Sequence, residues 1–145
     1  MQHFTPVFSM VDIRQVVEKE VQLVSDRADQ KHLTIESTIP ESFRLHTDEN
    51  FLVVVIRNLL QNAVKYSVEG TIISITATGR ELRMSNQSPF ANALAMNARL
   101  RDSSIDSRGS GLGLQIANDL AQAIGVNLTF VQENQDEVTV VLAWN

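Results

Sequence analysis

Residues 58–67 read NLLQNAVKYS, and the fold is decided by what surrounds them. Leu52, Val55, Ile56, Leu59, Leu60 and Ala63 recur at helical spacing, which predicts a helix from Glu49 to Ser67, with Asp48 as its N-cap and Gly70 as a stop signal. Asn58 and Asn62 stand four apart on this helix, and Lys65 and Tyr66 follow at three and four from Asn62, so all four share one stripe. Asparagine is a poor interior helix residue, and burying its amide without partners costs roughly 1–3 kcal/mol. The two amides therefore either pin a neighbouring loop or present ligand atoms.

A second stretch, RGSGLGL at 108–114, begins about 45 residues further on. Its three glycines alternate just before a helical pattern that runs from Gly111 to Ile124 and is closed by Gly125. Glycines in that position allow close backbone approach to an anion, and a phosphate chain fits there; an ordinary flexible loop is the alternative. Two familiar phosphate motifs are excluded. Leu114 occupies the place of the third dinucleotide-fold glycine, and no Gly-Lys-Ser/Thr follows as a Walker loop requires.

The flanking sequence supplies the other elements. Asp12 caps an amphipathic helix expected from Ile13 to about Lys31. Thr34–Ile39 and Phe43–His46 read as short strands separated by a turn at Pro40, and Thr71–Thr78 with Glu81–Asn86 as a hairpin about Gly79 and Arg80. Residues 89–108 show no strand pattern and fade into a polar run, which predicts a long, mobile lid. Asn127–Gln132 and Glu137–Ala143 are the last strands. The mixture predicts one α/β domain over residues 1–145, a two-layer α/β sandwich with helices on one face of a mixed, mostly antiparallel sheet.

Composition narrows the function. A net charge of −5, with no cluster of Lys and Arg, argues against a nucleic-acid partner. The absence of cysteine removes disulfides and thiolate metal sites, and the three histidines are too scattered for a conventional zinc site. The longest apolar run, Phe51–Ile56, is far short of the roughly 20 residues needed to span a bilayer, and the N-terminus lacks a secretory pattern. The expectation is a cytoplasmic piece making no membrane contact itself, compatible with a parent protein anchored in the inner membrane.

Together, residues 58–67 and 109–114 closely resemble the N box and second glycine box of the histidine-kinase-like ATPase superfamily, the Bergerat ATP-binding fold. The resemblance extends to residues 8–13 as an opening segment and 46–50 as the approach to the N box, and it implies the catalytic domain of a two-component sensor histidine kinase. It implies that Asn62 holds Mg²⁺ with Asn58 in support, that Lys65 neutralises phosphate charge, and that Tyr66 covers the base or ribose. Gly109, Gly111 and Gly113, with Leu112 among them, would wrap the triphosphate, and Arg99, Arg101 or Arg108 in the lid would reach its end; solvated surface positions are the alternative for each arginine.

The sequence also departs from that family. The first glycine box, usually Asp-x-Gly-x-Gly, is here NQSPF at 86–90. Asn86 still offers an amide acceptor toward adenine, weaker than a carboxylate, or it is simply a strand-ending turn residue. Ser88 and Phe90 stand where glycines would, which predicts weakened but retained ATP binding. Asn58 occupies the place where ATP-hydrolysing relatives have a glutamate base, so hydrolysis should be slow. No histidine has the acidic neighbour of a phosphoacceptor.

The expected reaction is γ-phosphate transfer from Mg²⁺·ATP to a histidine on a separate phosphoacceptor domain, of the same or a partner chain, with a response regulator downstream. Two alternatives remain: a degenerate module acting through protein contact, and a serine kinase of the anti-sigma-factor type.

Overall fold

In the computed structural model, which describes residues 5–89, 92–101 and 110–145, the chain alternates short strands and helices around one continuous apolar core. Strand β1 (Ser9–Asp12) leads into α1 (Ile13–Leu23), where the Asp12 carboxylate accepts the Gln15 N–H at 3.1 Å. The single helix expected to Lys31 is instead two. It breaks at Val24, and α2 (Ser25–Gln30) follows at a new phase. The Ser25 hydroxyl bonds back to the Gln22 carbonyl, and the shift lets Val24 and Ala28 both face the core while Leu23 stays exposed. A Schellman motif ends α2. Leu33 N–H reaches the Ala28 carbonyl and His32 N–H the Asp29 carbonyl, with His32 at φ +55° in the position that usually selects glycine.

Strands β2 (Thr34–Thr38) and β3 (Arg44–Thr47) form as expected but pair elsewhere. β2 runs parallel to β4 (Ile72–Thr78), and β3 pairs antiparallel with β1, so residues 9–12, read only as an opening segment, form a strand. Between them lies α3 (Glu49–Tyr66), capped by Asp48, whose Oδ1 accepts the Phe51 N–H at 2.9 Å while Oδ2 accepts the Val7 N–H at 2.7 Å. The other end of α3 is held by Lys31, whose Nζ donates to the Val64 and Lys65 carbonyls at 2.8 and 3.0 Å.

The hairpin of β4 and β5 (Glu81–Gln87) turns at Gly79 and Arg80, with Gly79 at φ +61°. Residues 93–101, expected to lack regular structure, form helix α4 (Ala93–Arg101). Asn92 caps it, accepting the Ala95 N–H, and Ala93 and Leu100 are buried seven residues apart. The small Ala93, Ala95 and Ala98 gave the segment no strong apolar stripe, which hid the helix from pattern reading. Helix α5 (Ser110–Ala123), β6 (Val126–Asn134) and β7 (Glu137–Trp144) complete the chain.

The main sheet has the order β2-β4-β5-β7-β6, with β2 and β4 its parallel pair. Ile73, Ile75, Leu82, Met84, Leu128 and Val140 point from it into the core, where Leu52, Ile56, Leu60, Leu114 and Ala117 of α3 and α5 meet them. The result is the mixed, mostly antiparallel sheet with helices on one face. Glu20 of α1 and Arg57 of α3 tie two of these helices together through a two-point ion pair at 2.8 and 3.2 Å, and the carboxylate raises the guanidinium pKa above its ordinary value.

Candidate nucleotide site

The stripe on α3 faces the N-terminal part of α5, and the two helices pack along their length. Asn58 Nδ2 is fixed by the Val54 carbonyl at 2.8 Å, which leaves Oδ1 turned toward α5. A β-carbon on Gly113 would stand 3.0 Å from that oxygen, so glycine is what permits the approach. One turn further on, Asn62 Oδ1 is buried with no hydrogen-bond partner among the described residues. An orphaned amide oxygen of this kind calls for a ligand, and it suits a hard divalent cation that keeps most of its shell from water and phosphate. Among the described residues no cluster of His, Asp or Glu offers an all-protein metal cage.

Two cavities meet at Asn62 and Leu114. The larger, about 650 Å³, is lined by Asn58, Asn62, Lys65 and Gly113, together with Arg27 of α2 and Lys31, which follows that helix. The smaller, about 200 Å³, is lined by Tyr66, Asn86, Ser88, Met96 and Arg99. The first is cationic and the second part aromatic and part amide, a division that suits the two ends of a nucleotide. Lys65 links them, its Nζ 5.3 Å from the centre of the Tyr66 ring. Asn86 and Ser88 are buried, Asn86 in register with Val138 and Ser88 N–H bonded to the Asp136 carbonyl at 2.7 Å, so residues 86–88 continue the pairing of β5 with β7 in place of a glycine loop.

The structure thus gathers Asn58, Asn62, Lys65, Tyr66, Asn86, Ser88, Arg99 and Gly113 around two joined cavities. Gly111, Leu112 and Gly113 lie within α5, which begins at Ser110, one residue before the helical pattern read from Gly111. Arg101 is the last residue of α4. Arg108 and Gly109 lie outside the described residues, as does Phe90. Sequence reading missed Arg27, Lys31 and Met96. Arg27 and Lys31 stand four apart, a spacing visible in the sequence, but only the folded chain sets both on the wall of the cavity with Asn62 and Lys65.

Residues 47–144 match the histidine kinase-, DNA gyrase B- and HSP90-like ATPase family, and the chain belongs to it. It is 25% identical over 140 residues to the sensor protein QseC of Escherichia coli strain K12, covering 92% of this chain and 31% of that one. To the sensor-like histidine kinase SenX3 of Mycolicibacterium smegmatis it is 35% identical over 75 residues, 52% of this chain and 20% of that one. The chain therefore spans about a third or less of the curated relatives it matches, and corresponds to the ATPase domain of sensor histidine kinases. Among solved structures, the cytoplasmic segment of QseC superposes with a TM-score of 0.74 at 20% identity, over 95% of this chain and 78% of that one. Full-length ShkA, solved in complex with AMPPNP, superposes with a TM-score of 0.78 at 24% identity, over 99% of this chain and 33% of that one.

Proposed function

We propose that this chain binds Mg²⁺·ATP in the two joined cavities and delivers the γ-phosphate to a histidine on a separate dimerisation and phosphoacceptor domain, of the same or a partner chain. The observation that carries this reading is the buried, unpartnered Oδ1 of Asn62 where the cavities meet. Bound magnesium supplies charge neutralisation on the phosphate oxygens. Asn62 would hold it, with Asn58 beside it.

The chain's own residues orient the rest. Lys65 offsets phosphate charge on the larger cavity's wall, and Gly113 lets Asn58 Oδ1 stand close against the start of α5. Tyr66 flanks the base or ribose, while Asn86 offers its amide to adenine and Ser88 narrows the pocket below it. The first turn of α5, with Gly111 and Leu112 ahead of Gly113, offers backbone N–H groups to the phosphates. Asn58 is an amide and cannot abstract a proton from water at neutral pH, which favours transfer over hydrolysis. In the transfer, the bond from the γ-phosphorus to the bridging oxygen of ADP breaks as a bond to an imidazole nitrogen forms, and the imidazole proton passes to solvent. A response regulator then takes the phosphoryl group.

Among the described residues no helix is long and apolar enough to cross a membrane. The test is to mix this chain with a phosphoacceptor domain and ATP labelled at the γ-phosphate. Acid-labile label on the acceptor histidine is expected; acid-stable label would indicate a serine acceptor, and no label on any acceptor would favour a protein-contact module.

A further inference from the structure

Strand β6 is an outer strand of the main sheet, and its far side presents backbone groups that β7 does not reach. Asn97, in the middle of α4, answers both groups of one residue. Phe130 N–H donates to Asn97 Oδ1 at 2.7 Å, and Asn97 Nδ2 donates to the Phe130 carbonyl at 2.9 Å. This two-point exchange copies the pairing of opposed residues in an antiparallel ladder, with a side chain standing in for a strand. The ends of α4 are held in the same way. Gln132 Oε1 on β6 accepts the Ala93 N–H at 2.8 Å, and the buried Asn118 of α5 donates to the Leu100 carbonyl at 3.1 Å.

Three amide side chains thus fix the start, middle and end of a helix whose other side carries Met96 and Arg99 into the wall of the smaller cavity. We propose that Asn97 is a positioning residue for nucleotide binding: by docking α4 on the β6 edge, it sets Met96 and Arg99 opposite Tyr66 and Asn86. The positioning role rests on the nucleotide reading above, whereas the docking itself does not.

The test has two arms, both on the whole chain. By hydrogen exchange, Asn97→Ala makes the amides of residues 95–100 and of Phe130 exchange about ten- to a hundredfold faster, with those of α3 unchanged. By titration with Mg²⁺ and a non-hydrolysable ATP analogue, Asn97→Ala weakens binding, and the loss vanishes in a Met96→Ala/Arg99→Ala background, where α4 has no side chain left to misplace. Asn97→Asp, which keeps the acceptor for Phe130 N–H, recovers part of the affinity. Should Asn97→Ala fail to fold, Gln132→Ala loosens only the start of α4 and gives the same pattern there. Unchanged exchange would overturn the docking role, and an equal loss in the double-alanine background would overturn the positioning role. A wild-type chain that binds no nucleotide would remove the positioning role along with the nucleotide reading, while the exchange arm still decides the docking.

Discussion

Asn62 costs the free protein stability twice, since asparagine is a weak helix former and its buried Oδ1 has no partner among the described residues. Asn62→Ala removes both costs and should stabilise the fold by roughly 1 kcal/mol or more, read from thermal melting, while abolishing the Mg²⁺-dependent part of nucleotide affinity. A variant that melts lower, or binds Mg²⁺·nucleotide unchanged, contradicts the assignment. Gly113 is the converse case. Alanine there gains helix propensity of about 1 kcal/mol but places its Cβ 3.0 Å from Asn58 Oδ1, so Gly113→Ala should hold or raise the melting point and weaken nucleotide binding. The four-residue stripe from Asn58 to Tyr66 was legible because helical spacing alone fixes which side chains share a face. Its use was not legible from spacing, since loop-pinning amides would read the same until Gly113 was seen against Asn58.

At the scale of elements, α3 and α5 were read to within a residue or two, whereas the single capped helix expected from Ile13 to about Lys31 breaks at Val24. Helix α3 is the clearest, with Asp48 capping its start as expected. The device at its other end was invisible in sequence, because Lys31, just past the end of α2, stands 33 residues before the Val64 carbonyl it bonds. Lys31→Met should fray the last turn of α3, lowering stability by roughly 1–2 kcal/mol in urea titration and loosening the backbone that carries Lys65 and Tyr66. No change in the denaturation midpoint would show the contact to be idle. Strand pairing was harder to read. The segments around 34–38 and 44–47 were correctly seen as extended, but nothing local says that one joins β4 in parallel and the other joins β1. Helix α4 was missed because alanines give little hydrophobic contrast and its anchoring is polar, through Asn97, Gln132 and Asn118.

For the whole molecule, the layered architecture followed from the order of elements, but the site depends on how the layers meet. The two cavities exist because α2 and α5 close on opposite sides of the α3 stripe while α4 closes over the end of β5. Asn86 and Ser88, which stand where related first boxes have Asp and Gly, line a cavity and do not fill it, so these two positions leave room for a base. A ligand bridging both cavities would touch α3, α4 and α5 together, and should raise the melting temperature of the chain in a concentration-dependent way. The central claim is tested most directly by calorimetric titration with a non-hydrolysable ATP analogue, with and without Mg²⁺. Saturable binding that weakens markedly when Mg²⁺ is withheld is the predicted result; no detectable binding at millimolar nucleotide would contradict it.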